Sequence, residues 1–250
     1  MSSERQPVET TGRWWGEHIH RYNVALSFIQ PNDIVLDIAC GTGFGTEIIA
    51  ANTTGKVTGG DIAAEAIEEC KGRWNKPNLE FKVLDGTRLD FPDNYFDKIV
   101  SIETIAHTGQ YKEMAAEFAR VLKPGGMLIL STPNRAVSSP DGVIVNPFHI
   151  QEFTVDELGE ILSPHFSTVE QVGQRYSRYD KDADGKTVGK FFEKMFLSFG
   201  IRKLPYSWRS GFMKNFFGYP LYARDKDFVI EKDRASVKTE CPVQFAFCKK

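Results

Sequence analysis

The sequence predicts an α/β domain: a mostly parallel sheet of seven strands with helices on both faces. Three observations carry this. Short apolar runs alternate with helical stretches, a glycine-rich turn joins the first of these strands to its helix, and an aspartate closes the next strand. Strand–helix alternation at this spacing needs crossover connections, and crossovers give parallel strands. A chain of 250 residues can bury one such core and carry an elaborated cover.

The elements follow in order. Residues 1–12 read as a polar tail. From Trp14 to Gln30, Trp15, Ile19, Tyr22, Ala25 and Phe28 recur at three- and four-residue steps, which predicts a helix that Pro31-Asn32-Asp33 breaks. Ile34–Ala39 reads as a buried strand, followed by the glycine turn and a helix through Ala51. Lys56–Asp61 is a second strand and Ala63–Trp74 a second helix. Leu79–Leu84 and Lys98–Ile102 are the third and fourth strands. The helix Tyr111–Leu122 ends at Lys123-Pro124-Gly125-Gly126, which cannot continue it, and leads into the strand Met127–Ser131. Thr154-Val155-Asp156-Glu157 is a capping box for a helix running to Leu162. Phe166–Val172 and Val243–Cys248 are the last two strands.

Composition narrows the class. The formal net charge is −2, whereas a dedicated nucleic-acid binder carries a basic excess. No apolar run approaches the roughly 20 residues that cross a bilayer. The four cysteines, Cys40, Cys70, Cys241 and Cys248, form no metal-binding spacing, and Cys241 and Cys248 would face opposite ways on one strand. The expectation is a reducing, cytoplasmic setting, with no nucleic-acid partner and no stable membrane insertion.

The run Val35-Leu36-Asp37-Ile38-Ala39-Cys40-Gly41-Thr42-Gly43-Phe44-Gly45 carries the chemistry. Glycine lets the backbone turn tightly and approach a ligand, and the amides of the following helix then face it. Asp61, at the end of the next strand, can accept from both hydroxyls of a ribose. The dinucleotide fingerprint G-x-G-x-x-G does not fit, because the third glycine comes one residue early, at Gly45. Asp37, inside the strand, would repel a pyrophosphate but suits a cationic sulfonium and ammonium. A turn serving only strand–helix packing is the plain alternative, and the flanking aspartates count against it.

This run resembles motif I of the class I methyltransferases that use S-adenosylmethionine (SAM), on a Rossmann-like fold. The resemblance extends from about Trp15 to Gly173. It includes Gly60-Asp61-Ile62, Asp85-Gly86, Phe91-Pro92-Asp93-Asn94-Tyr95-Phe96-Asp97, Arg120-Val121-Leu122-Lys123-Pro124-Gly125-Gly126 and Ser131-Thr132-Pro133-Asn134. It implies that Gly41 and Gly43 approach the methionine part of SAM and that Asp61 holds the ribose, with Ala39, Thr42 and Ile62 also at the cofactor. Asp85 and Gly86 would line the adenine, and Ile102 and Glu103 would sit near the cofactor. Residues 1–250 would then form one domain, with 1–30 a tail and cofactor-covering helix and 175–240 an inserted lid.

A hydroxyl acceptor must lose a proton, and histidine is the usual base near neutral pH. His18 and His20 fall on the first helix and His165 in a surface turn. His107 follows the fourth strand and His149 the fifth, near the edge where open α/β sheets bind ligands. At least one of these two is expected to be the base; a histidine bonding loop backbone is the alternative for each. Glu103–His107 resembles the E-x-x-E-H segment of quinone-biosynthesis O-methyltransferases, whose acids and histidine hold a divalent metal. Here Ala106 replaces the second acid, so no metal ligand is assigned. A further resemblance is to bacterial methyltransferases encoded with cell-surface glycan enzymes. It rests on His18-Ile19-His20-Arg21-Tyr22, Ser131 to Asn134, Asn146-Pro147-Phe148-His149 and Glu152-Phe153-Thr154. It implies a sugar hydroxyl as acceptor. Arg21 and Tyr22 either close over SAM or serve ordinary helix packing with a solvated charge.

Two segments are less specific. Asp180-Lys181-Asp182-Ala183-Asp184-Gly185 opens like a calcium loop, but Phe191 stands where the loop needs a bidentate Glu. From Lys190 to Arg224, seven basic residues and eleven aromatics accompany the single acid Glu193. That stretch reads as a lid selecting an anionic acceptor, as an anionic-membrane contact, or as an amphipathic cover with solvated lysines. The lid is preferred. The expected function is SAM-dependent O-methylation of a saccharide or sugar conjugate. Phenol or quinol O-methylation and N-methylation are the enzyme alternatives. A SAM-binding fold without catalysis is the non-enzyme one, and a nicotinamide oxidoreductase lies further behind.

Overall fold

The computed structural model describes residues 15–144, 146–177 and 223–250. The described elements run α1 (Trp15–Leu26), β1 (Val35–Ile38), α2 (Phe44–Asn52), β2 (Val57–Asp61), α3 (Ala64–Arg73), β3 (Leu79–Val83), β4 (Phe96–Ile102), a 3-10 turn (Ile105–His107), α4 (Tyr111–Val121) and β5 (Leu122–Pro133). They continue with α5 (Arg135–Ser138), α6 (Val155–Leu162), β6 (Thr168–Tyr176), a 3-10 turn (Asp225–Asp227), β7 (Phe228–Glu231), α7 (Arg234–Glu240) and β8 (Val243–Lys249). The sheet order is β3-β2-β1-β4-β5-β8-β6-β7. The first five strands pair in parallel, and β8, β6 and β7 join antiparallel. The order reverses between β1 and β4, so a crevice opens at their carboxyl ends, where such sheets take ligands.

The expected class holds, with eight strands instead of seven. The additional strand is β7, four half-buried residues on the sheet edge against β6. It lies in the range assigned to the lid, as do the end of β6 and α7. The calcium-like turn and the aromatic–basic run up to residue 222 lie outside the described residues. Lys123 to Gly126 also differ from expectation. They form a bulge inside β5, because Leu122 already pairs with Phe96 before Met127 resumes against Lys98.

Two apolar layers sandwich the sheet. One packs Leu36, Ile99, Leu128 and Leu130 under Phe118 of α4 and Leu158 of α6. The other packs Val35, Val100, Ile129 and Phe245 under α1 and α2 through Tyr22, Ala25 and Ile49. Alternate residues of β5 thus serve opposite faces, as a pleated central strand requires. Each fully buried aliphatic side chain here contributes roughly 1.5–3 kcal/mol. The capping box at α6 is present: Thr154 Oγ1 accepts from the Glu157 amide (3.3 Å), and Glu157 accepts from the Thr154 amide (2.8 Å). Among the described residues no helix is long and apolar enough to cross a membrane, and the four cysteines are buried and unbridged.

Several residues of the recognised motifs act as scaffold. Arg120 donates to the Leu89 and Phe91 carbonyls (both 2.9 Å), to Asp93 (2.7 Å) and to Glu117, fixing the loop before β4. Asp97 accepts from Lys123 and from the Ile34 amide, tying the start of β1 to β4 and to the β5 bulge.

The fit between α1 and α2 is close enough to test. A Cβ on Gly45 would stand 1.8 Å from Cζ of the buried Tyr22 ring. Alanine ordinarily favours a helix over glycine by about 1 kcal/mol, but here overpacking costs about 1–3 kcal/mol. Gly45→Ala is therefore expected to lower stability in urea unfolding, and to cost less in a Tyr22→Leu background. Equal cost in both backgrounds would show that the ring is not what the new methyl meets.

Candidate functional site

A cavity of about 930 Å³ opens along the carboxyl ends of the parallel strands. Asp85 and Gly86 flank it beyond β3, Asp61 and Ile62 at β2, Ala39 to Thr42 at β1, and Ile102 and Glu103 at β4. His107 and His149 line it on the β4–β5 side, and α1 covers it with Arg21 and Tyr22. Of the residues expected from sequence, only Asp37 and Gly43 are absent from its wall.

The loop after β1 is held from its far side. Asp61 accepts from the Gly41 amide (2.9 Å) and the Ala63 amide (3.0 Å), joining the ends of β1 and β2. Trp74 Nε1 donates to the Thr42 carbonyl (2.8 Å), and the Cys70 thiol to the Gly41 carbonyl (3.3 Å). Ala39, Gly41 and Gly43 have φ of 60°, 55° and 74°. Left-handed backbone is costly for alanine, and such strain gathers at ligand sites. A side chain on Gly43 would meet Cys70, Phe81 and Trp74 within 3 Å, so this glycine serves the packing beneath the loop.

Asp37 is fully buried behind the cavity wall. It accepts from Thr46 Oγ1 (2.6 Å) and, with both oxygens, from the Tyr22 hydroxyl (3.3 Å each). Burial pushes its pKa up to about 7, against the hydrogen bonds from Thr46 and Tyr22, with the Asp61 charge adding to the rise. Burial and Asp37 push the Tyr22 phenol well above its ordinary range, so Tyr22 stays a donor. Asp37 was expected near a bound cation; it bonds to Tyr22, which lines the cavity, and does not line the cavity itself.

Arg21 is buried among hydrogen-bond partners. Nε donates to Gln174 on β6 (2.9 Å), Nη2 pairs with Glu17, and Nη1 stands 3.5 Å from Glu103. Glu103 has φ of 55°, which turns the chain at the end of β4, and its carboxylate accepts from Ser131 Oγ (2.8 Å). Two acids around one guanidinium leave this wall net negative.

The β4–β5 rim is built by residues 146–153 lying across the 3-10 turn. The Ile150 amide donates to the Ala106 carbonyl (2.9 Å), and Phe153 bridges to Asn134. The His107 and His149 rings meet edge-on, with centroids 5.0 Å apart. His107 Nδ1 lies 3.0 Å from the Phe148 carbonyl and therefore donates to it. His149 Nδ1 lies 2.9 Å from Glu152, and its Nε2 lies 3.0 Å from Asn146 Nδ2. Sequence did not single out Glu17 or Gln174, and it named Glu152 only within the Glu152-Phe153-Thr154 run, with no role assigned. Gln174 lies far from Arg21 in the chain, whereas the spacings Glu17-x-x-x-Arg21 and His149-x-x-Glu152 offered signals. Among the described residues no group of three or more His, Cys, Asp and Glu could hold a metal ion.

Residues 35–126 match a family described as a methyltransferase domain. A protein of Mycolicibacterium smegmatis named "Probable S-adenosylmethionine-dependent methyltransferase" is 30% identical over 161 residues, covering 64% of this chain and 62% of that protein. A Mycobacterium tuberculosis protein of the same description is 30% identical over 72% of this chain and 65% of its own length. The chain thus spans somewhat under two thirds of these relatives. Demethylmenaquinone methyltransferase of Symbiobacterium thermophilum is 35% identical, covering 49% of this chain and 50% of that enzyme. Among solved structures, a SAM-dependent methyltransferase of Thermotoga maritima superposes with a TM-score of 0.63 at 14% identity, covering 95% of this chain and 93% of that one. The [4+2]-cyclase SpnF superposes at 0.58 and 17% identity, covering 94% of this chain and 82% of its own. Residues 35–126 thus match a methyltransferase domain, and the described elements have the class I methyltransferase fold.

Asp37 makes stability depend on pH. Its folded pKa stands above the unfolded value of 3.8, so the folded chain binds the extra proton. Its contribution therefore falls as pH rises from about 4 through about 7. Asp37→Asn should remove this component, so that its stability relative to wild type rises between pH 5 and pH 8 in urea unfolding. A constant difference would mean that Asp37 does not titrate there.

Proposed function

We propose that this chain transfers a methyl group from SAM to a hydroxyl of a small molecule, a sugar or sugar conjugate, with a rim histidine taking the proton. The observation that carries the reading is one continuous cavity. It joins the glycine loop, Asp61 and Asp85 on one side to His107 and His149 on the other. Its volume is at the upper end of the roughly 300–1,000 Å³ typical of small-molecule sites.

The residues present fit the donor. Asp61 spends one lone pair of each oxygen on the loop amides and keeps others for ribose hydroxyls. Glu17 and Glu103 on the cavity wall provide negative charge for a sulfonium and an ammonium. Arg21 can face the amino-acid carboxylate. When bound, SAM supplies a methyl group already activated by the positive sulfur. The protein's part is to hold the acceptor oxygen in line with that carbon and to remove its proton. On each rim histidine, a proton on Nδ1 leaves Nε2 as the basic nitrogen. The acceptor oxygen then gains the methyl group as the histidine gains the hydroxyl proton.

A phenol or quinol acceptor is the second reading, favoured by the similarity to demethylmenaquinone methyltransferase. That likeness covers 49% of this chain, and the family match, residues 35–126, ends before the rim that holds His149. SpnF, a cyclase of the same fold, keeps chemistry other than methyl transfer in view.

Incubation with methyl-labelled SAM and two acceptor pools, phospho- or nucleotide-sugars and quinols or phenols, distinguishes the readings. Label in the sugar pool is expected. Label confined to quinols would replace the acceptor assignment, and label in neither would remove both. A second test isolates Asp61. S-adenosylhomocysteine and its 2′-deoxyribose analogue should differ in affinity about tenfold for wild type, the worth of one hydrogen bond. They should bind Asp61→Asn nearly alike. An undiminished difference in the variant would show that Asp61 does not hold the ribose.

A further inference from the structure

We infer that Glu152 is a positioning residue that makes His149, rather than His107, the proton acceptor of the rim. This rests on the methyl-transfer reading above. Both residues are nearly excluded from solvent, with side-chain exposures of 7% for His149 and 4% for Glu152. Glu152 Oε1 takes the His149 Nδ1 proton at 2.9 Å, and Oε2 accepts from Ser138 Oγ and Ser139 Oγ, each at 2.8 Å. Burial alone would push this carboxyl up. The hydrogen bonds from His149, Ser139 and Ser138 outweigh it and hold the pKa below the ordinary value, so Glu152 is a carboxylate.

The tautomer of His149 is defined from both sides. A carboxylate can only accept, so Nδ1 carries the proton. The Asn146 Oδ1 accepts from the Phe148 amide (3.0 Å), which directs the Asn146 Nδ2 donor at the Nε2 lone pair. For His149 to act as the base, an acceptor hydroxyl replaces the Asn146 amide at that lone pair. Glu152, Asn146 and the edge-on His107 are among the groups around the ring.

The two histidines differ in the group that accepts from Nδ1, and so in what that group offers an imidazolium. His107 Nδ1 donates to the Phe148 carbonyl, a neutral dipole. His149 Nδ1 donates to a buried full charge, which stabilises an imidazolium more strongly in a water-poor site. Glu152 is also rigidly seated. It precedes Phe153, which bridges to Asn134, and its serine donors belong to α5 and the residue after it. Glu152 acts through His149 and is not itself expected to touch the acceptor.

The experiment combines ring-nitrogen NMR with kinetics on SAM-bound protein. In wild type the His149 signals, assigned by comparison with His149→Gln, should show a protonated-type Nδ1 and an unprotonated-type Nε2. In Glu152→Ala they should shift toward a mixture of tautomers, and kcat should fall about 100- to 1,000-fold with the KM for SAM within twofold. His107→Ala should lose less turnover than His149→Gln. If Glu152→Ala does not fold, Glu152→Gln decides. Its carbonyl can still accept from Nδ1, so the tautomer should persist while kcat falls at least about tenfold for want of the charge. A wild-type His149 protonated on Nε2, or Glu152 variants with unchanged turnover, would overturn the inference. Absence of methyl transfer by wild type would instead defeat the parent reading, and the nitrogen signals would still decide the tautomer.

Discussion

The hydrogen bond from the Gly41 amide to Asp61 organises the ligand edge of this protein. Parallel strands deliver their loops to one side of the sheet, but they do not fix those loops relative to one another. A carboxylate at the end of β2 that accepts from the loop after β1 and from the start of α3 does so. Trp74 and Cys70 complete the anchoring from beneath. With its rear groups engaged, the loop can keep Ala39 and Gly41 in left-handed backbone and turn its other side toward the cavity. The rest of the wall is assembled around that fixed line. Tyr22 packs on Gly45, Asp37 sits behind Tyr22, and Arg21 beside it reaches Glu103.

The division between site and scaffold separates residues that look alike in sequence. Arg120 and Asp97 belong to runs that support the family resemblance, yet both work away from the cavity, holding the loop before β4 and the start of β1. Gly43 likewise belongs to the glycine run but faces Cys70 and Phe81. Glu152 stands outside the strongest motif and inside the cavity wall. The matched region covers residues 35–126, whereas the rim holding His149 and Glu152 comes after it. Likeness to methyltransferases with differing acceptors is consistent with that partition.

Local signals made much of this legible. The glycine turn, the alternating strands and the Thr154–Glu157 cap are each encoded within a few residues, and each forms as expected. The edge strand β7 was missed although Phe228-Val229-Ile230 is an apolar run of strand-forming residues, because the run is short and falls in the range assigned to the lid. Its neighbour α7 did carry a local sign, Asp233 accepting from the Ser236 amide (2.9 Å). The burial of Asp37 could not be read, because it depends on α1 folding back across β1 and α2. Nor could the Arg21–Gln174 bond, which joins residues 153 positions apart. Sequence brought His107 and His149 to the same rim but could not supply the carboxylate that distinguishes them.

The position of β8 sets an order on assembly. Among the described strands, β6 joins the parallel block only through β8, and β8 is the neighbour of β5 on that side. During synthesis, the parallel block from β3 to β5 can close as its residues emerge, while β6 has no place to dock until residues 243–249 leave the ribosome. Over that interval β5 presents an open edge with apolar residues on both faces, the kind of surface that chaperones shield and that neighbouring nascent chains can pair with.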